Sequence, residues 1–104
     1  MFLNHQDDAV GAAPEVHKVI FENDAIRILD VVVPLQYKSA SNWHPKNMGY
    51  VLASGKLRFT LPDGTVKEAA LSEGQVTQGE GSHIVENIGD TKVRVLQVEF
   101  KSAT

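Results

Sequence analysis

Two histidines in separated segments carry the chemistry legible in this chain. His44 stands in Asn42-Trp43-His44-Pro45, and His83 opens His83-Ile84-Val85-Glu86-Asn87. Neutral imidazole is a ligand for Zn, Cu, Fe and Ni, and it exchanges a proton near neutral pH. The two residues are 39 positions apart, too far for one helix or one hairpin to join them. Only a sheet that rolls up can bring them face to face. The chain has no cysteine. Disulfides, thiolate ligands and cysteine nucleophiles are therefore excluded together. Any metal would be held by nitrogen and oxygen donors, or by a thioether.

The elements that must position these imidazoles read as short β-strands. Residues 1–15 show no sustained periodicity and read as a loose leader, with the barrel domain over 16–104. His17–Glu22 and Ala25–Val33 are rich in Val and Ile, and the turn residues Asn23-Asp24 separate them. Pro34 ends the second run because it cannot donate to a ladder. Gln36–Asn42 is a polar loop. Tyr50–Ala53 and Leu57–Leu61 hinge at Ser54-Gly55. Leu57, Phe59 and Leu61 alternate with polar neighbours, the period of a half-buried strand. Pro62-Asp63-Gly64 and Ser72-Glu73-Gly74 are turns flanking Val66–Leu71. Gln75–Gln78 and Ser82–Ile88 are expected to flank a turn at Gly79-Glu80-Gly81, and Thr91–Lys101 closes the chain. Eight or nine strands with frequent turns and no helix predict a sandwich or barrel.

The 104 residues fit one domain. Ten basic against thirteen acidic residues give a net charge of −3, with no basic stripe. Nucleic acid and anionic membrane are therefore poor partners. The first residues lack a basic n-region and an apolar run, so a cytoplasmic location is the expectation. No stretch approaches the roughly 20 apolar residues of a membrane span.

The motifs around the two histidines resemble those of the small single-domain cupins, jelly-roll β-barrels. Anchored on Gly55, the His-x-His pair of the first cupin motif falls on Asn42 and His44, and its glutamate on Met48. Gly74, His83 and Asn87 match the glycine, histidine and asparagine of the second motif, and Gln78 and Glu80 stand at its proline and glycine. The resemblance covers about residues 17–101 and implies an all-β, cupin-type jelly-roll barrel, a double-stranded β-helix. It also resembles, more narrowly, short bacterial cupins with a His-Pro pair and a hydrophobic residue at the glutamate position. Cupins that bind metal use three histidines and a glutamate. Of those four positions only His44 and His83 hold the expected residue here.

The resemblance thus implies a small polar molecule bound in the barrel beside a reduced divalent-metal site (Zn, Fe, Mn, Ni or Cu). His44 and His83 are its ligands, with Asn42 a candidate third. In a strand, residues 42, 44 and 48 share one face, as do 83, 85 and 87. The expected pocket is Asn42, Met48, Tyr50, Gln78 and Asn87. The metal-free alternative is a binding or interaction module, in which paired imidazoles hold a carboxylate or one serves as general base. A purely structural domain with two satisfied core histidines is the third reading. Each flanking residue also has a structural role open to it. Asn42 can bond backbone at a loop end, Met48 can pack, and Asn87 can fix a turn. Glu80 is expected to be solvated, Trp43 to face outward, and His5 and His17 to be exposed. The run Ile26 to Val33 is apolar on both faces, which predicts a homodimer through that region and the N-terminal arm.

Overall fold

The computed structural model describes residues 6–101. One helical turn, α1 (Ala9–Ala12), precedes seven strands: β1 (His17–Glu22), β2 (Ile26–Val33), β3 (Asn42–Ala53), β4 (Gly55–Thr60), β5 (Val66–Leu71), β6 (Val76–Asn87) and β7 (Val93–Phe100). All pairings between strands are antiparallel, in the spatial order β1-β2-β7-β3-β6-β4-β5. Strand β6 is long enough to serve two partners. Its first part pairs with β3 and its last part with β4. That shared strand turns the sheet back on itself, so that side chains from all seven strands line one interior cavity.

The alternation in the sequence explains which way each strand faces. In β2 every second residue is buried, Arg27, Leu29, Val31 and Val33, and the inward residues of β7 are buried Val93, Val95 and Glu99 with a half-buried Gln97 between them. The two strands pair without a break from Ile26 opposite Phe100 to Val33 opposite Val93. The apolar inner residues, with Val51, Leu57, Leu71 and Val85, form the core. Turn chemistry closes the hairpins. Asn23 Oδ1 accepts from the backbone N–H groups of Ala25 and Ile26, at 2.8 and 2.9 Å. Gly64 and Gly74 supply positive φ at the two expected turns.

Three expectations are corrected. Gly79-Glu80-Gly81 is no turn between two strands, because β6 runs straight through it. Opposite it, β3 carries a bulge. His44 pairs with Gly81 and Asn47 with Gly79, so Pro45 and Lys46 together face the single residue Glu80. Proline at a bulge costs no ladder bond it could have made. The strand count falls to seven, since β3 extends back to Asn42 and the two predicted halves of β6 are one. The leader is also not loose over its described part. Asp8, Ala9 and Ala13 are buried, Asp8 caps α1 by accepting from Val10 N–H, and Trp43 N–H donates to Asp7 O at 2.6 Å. His5 lies outside the described residues.

Candidate functional site

The cavity has a volume of about 490 Å³. Its apolar wall comes from β2, β4, β5 and β7, including Val31, Leu57, Phe59, Leu71 and Val95. Its polar residues include three imidazoles, His17, His44 and His83, with Asn47, Gln78 and Gln97. His44 neighbours both of the other rings. Ring centroids are 5.0 Å apart for His17 and His44, and 5.2 Å for His44 and His83. Phe59 meets His83 edge-on at 5.1 Å.

Behind His44 lies a buried chain of charges. Glu99 is fully buried, and its Oε2 lies 2.6 Å from His44 Nδ1. A carboxylate can only accept, so the proton sits on Nδ1 and Nε2 is left to face a ligand. The Gln97 carboxamide lies 3.0 Å from the same Nδ1. The other Glu99 oxygen accepts from Arg27 Nε at 2.7 Å and also from its terminal NH2. Arg27 in turn grips Asp8 with two parallel bonds of 3.0 Å. The order is Asp8–Arg27–Glu99–His44, with all four side chains buried. Strand register explains the centre of it, since Arg27 on β2 is directly opposite Glu99 on β7. Charges so placed are stable only when mated and hydrogen-bonded.

His17 departs from its expected place. Expected to be exposed, it is buried, and its Nδ1 donates to Ala13 O at 2.9 Å. The folded arm causes this, because it lays Ala13 and Val16 over the first residue of β1. The arm therefore holds two imidazoles at once: His17 through the Ala13 carbonyl, and His44 through Asp8, Arg27 and Glu99. Burial, and next the neighbouring His44 ring, lower the His17 pKa from 6.5 to about 4. The same two causes, with His17 third, lower that of His83 to about 3. Both rings are neutral at pH 7.

The predicted pocket residues divide. Gln78 lines the cavity. Met48 and Tyr50 do not, because the bulge at Pro45-Lys46 reverses the parity of β3. Both point outward, 43% and 48% exposed, and Asn47 takes the inward place. Asn42 is buried but outside the cavity lining. Its Nδ2 lies near Ala40 O, Ser39 Oγ and His83 O, at 2.9, 3.2 and 3.3 Å. Its Oδ1 is buried without a hydrogen-bond partner among the described residues. Asn87 is also away from the cavity. It donates to Val33 O and Thr91 O at 3.1 and 2.9 Å and accepts from Gly89 N–H at 3.0 Å, clamping the turn into β7. Trp43 is half-buried. Glu80 is exposed as expected, although it sits in a strand at the cavity mouth.

The functional residues missing from the sequence reading are Arg27, Glu99, Asp8, Asn47 and Gln97. A signal for two of them existed. Arg27 has the parity of Leu29 and Val31, and Glu99 that of Val93 and Val95, so each is a charge on a core-facing side. Such residues are almost never buried unless paired.

For the metal that cupins imply, the donor types fit and the placement does not. Imidazole nitrogens and the orphaned Asn42 oxygen are suitable donors. However, no three His, Asp or Glu side chains among the described residues gather into a ligand set. Glu99 is held by Arg27 and His44.

The lowered imidazole pKa values set the acid limb of stability. Below pH 6.5 the unfolded chain protonates His17 and His83, while the folded chain resists until about pH 4 and pH 3. The unfolded state then binds more protons, so stability falls as pH falls. The expected loss is on the order of 2 kcal/mol per ring by about pH 5. Urea unfolding at neutral and acid pH measures it, and His83→Gln should roughly halve it. Asp8→Asn keeps a capping side chain on α1 and removes the charge facing Arg27. It should cost about 1–3 kcal/mol in urea unfolding and shift the His44 ring-nitrogen resonances. A His44 spectrum unchanged by Asp8→Asn would show that the arm does not reach the cavity.

No protein-family profile matches the chain, and no curated protein matches it. Solved structures do. A cupin domain from Bordetella pertussis Tohama I is 21% identical and superimposes with a TM-score of 0.75, over 84% of this chain and 93% of that one. A Klebsiella pneumoniae protein with a double-stranded β-helix domain is 18% identical, with a TM-score of 0.67 over 85% of this chain and 77% of that one. An RmlC-like cupin family protein from Methanocaldococcus jannaschii is 15% identical, with a TM-score of 0.66 over 82% and 78%. These identities carry the fold alone. The chain has the fold of a small single-domain cupin, a double-stranded β-helix barrel.

Proposed function

We propose that this protein binds a small molecule in the barrel cavity and that His44 exchanges a proton with it. The single observation that carries this reading is the 2.6 Å contact between His44 Nδ1 and the fully buried Glu99, at the wall of a cavity of about 490 Å³. Glu99 fixes the tautomer and the ring plane, as a carboxylate does for a histidine general base. Nε2 then meets the ligand with a defined role, taking a proton from an acidic group or returning one. The neutral rings of His17 and His83 flank it. The apolar wall suits a ligand with a hydrocarbon body and a polar end, the usual division of a small-molecule site.

The test is a thermal-shift screen of small polar molecules, followed by proton–deuterium exchange of any ligand that binds. A ligand of this site should stabilise the wild type and lose at least roughly ten-fold in affinity with His44→Ala. Exchange at its acidic C–H should stop in that variant. Hits that bind His44→Ala equally well would remove His44 from the site.

The second reading is a divalent transition metal, Zn, Fe, Mn, Ni or Cu, on the imidazoles. It is favoured by His17, which brings a third ring beside His44 and His83. It requires the rings to turn until their free nitrogens converge. Elemental analysis of untagged protein separates the two readings. Near-stoichiometric metal in the wild type, absent from His44→Ala/His83→Ala, would establish the second. Equal trace metal in both, even after dialysis against these ions, would leave the first.

A further inference from the structure

The hairpin of β4 and β5 treats its two faces differently. On the outer face Arg58 is directly opposite Glu68, and bonds of 2.9 and 3.2 Å join them. Glu86 lies 3.6 Å from the same guanidinium. One residue along, with the opposite parity, Phe59 is opposite Lys67. Phe59 meets His83 edge-on, so this pair stands on the cavity side, and Lys67 lines the cavity with Ala69 and Leu71. No carboxylate among the described residues forms an ion pair with Lys67. Asp63, in the adjoining turn, feels its charge at longer range. The outer face of the hairpin thus mates its cation, and the inner face leaves one over beside an aromatic ring.

Deeper in the cavity no positive charge is available. Arg27 is committed to Asp8 and Glu99. Any charge that His44 takes up is met by Glu99. The rings of His17 and His83 are neutral at pH 7. An anion buried among these groups would lack a partner, which an interior does not tolerate. A negative group on a ligand therefore finds its cation only at Lys67. The other charged residue of the lining is Glu80, at the mouth, and it repels a second negative charge. A phosphate monoester is nearly doubly charged at pH 7 and would leave one charge facing Glu80. A carboxylate carries the single charge that one ammonium matches.

We infer that the ligand is a monocarboxylic acid with an apolar body, held by its carboxylate on Lys67 at the rim and by a neutral, proton-exchanging group at His44. This rests on the proton-exchange reading of His44 and adds to it the ligand class and the direction of entry. The neutral end goes in first, past Phe59 and Leu61, which line the way. The carboxylate stays beside an exposed ammonium, so the charge is never taken fully out of water, the step that makes buried ion pairs costly. The rival role for Lys67 needs no ligand. Strand β5 is a sheet edge, and an inward-pointing charge guards an edge against pairing.

Calorimetric titration of the full chain with phenylacetate and phenylacetamide separates the two roles, since these probes share a shape and differ in charge. The wild type is expected to bind the acid roughly five- to ten-fold more tightly than the amide. Between about 20 and 500 mM NaCl the preference should shrink. Lys67→Met keeps an apolar stem and removes the charge. It should bring the two affinities within about two-fold by weakening the acid alone, and Lys67→Arg should keep the preference. Lys56→Met, which removes a charge from the outer face of the same hairpin, should leave it intact. A preference that survives Lys67→Met overturns the inference and leaves Lys67 as an edge guard. So does an amide, or phenyl phosphate, bound as tightly as the acid, or no binding of phenylacetate by about ten millimolar. His44→Ala tells this failure from that of the underlying reading. Acid and amide bound alike, and both lost in His44→Ala, keep the proton-exchange reading and overturn the acid class. An acid preference that depends on Lys67 but ignores His44→Ala overturns the reading, and the inference with it.

Discussion

The pairing of Arg27 with Glu99 is the interaction on which the site depends. Two opposite charges face each other across the β2–β7 ladder, at the one register that puts both inside the barrel. Neither is tolerable there alone. Loss of one partner from a buried pair typically costs about 3–5 kcal/mol, a large share of the roughly 5–15 kcal/mol that holds an ordinary domain together. The pair is therefore weak evidence for high stability. It is stronger evidence for orientation, because each remaining hydrogen-bonding group of the pair points at something specific. On one side Arg27 recruits Asp8 and with it the N-terminal arm. On the other, Glu99 fixes the ring of His44.

The consequences reach both ends of the chain. With Asp8 bound, α1 lies across the start of β1, and the Ala13 carbonyl takes the Nδ1 proton of His17. A segment with no periodicity thereby controls two of three imidazoles. Opposite them, the bulge in β3 turns Asn47 inward and releases Met48 and Tyr50 to the outside. One extra residue thus shapes two surfaces. It gives the cavity a small amide where a thioether would otherwise stand, and it adds two large side chains to the outer surface of the barrel.

Much of the architecture was legible in the residues. Alternation in Ile26–Val33 and in Leu57–Leu61, with the turn chemistry at Asn23 and Pro62-Asp63-Gly64, places strands close to where they form. The spacing of the His44 and His83 motifs points to a rolled sheet, and both rings do line its cavity. Strand parity alone puts Met48 and Tyr50 inside, because the bulge at Pro45-Lys46 that reverses it leaves no reliable mark in sequence. Asn42 and Asn87 were placed in the pocket because the motifs carry them there. In the fold they bond backbone carbonyls that only become neighbours once the strands pair. His17 was placed in solvent because nothing in residues 6–15 announces an arm that packs.

By itself the sequence determined the local properties: strand identity, turn positions, the exclusion of thiol chemistry, and two imidazoles on inward-facing segments. These follow from side-chain type and period, which need no partner. Tertiary structure alone decided which groups meet. His17 joins His44 and His83, Glu99 reaches His44 from 55 positions away, and Arg27 spans 72 positions to Glu99. The physical reason is that a hydrogen bond or ion pair is a property of register and sheet closure. One residue of slip in β2 or β7 would turn Arg27 or Glu99 out to water, with the composition of every strand unchanged.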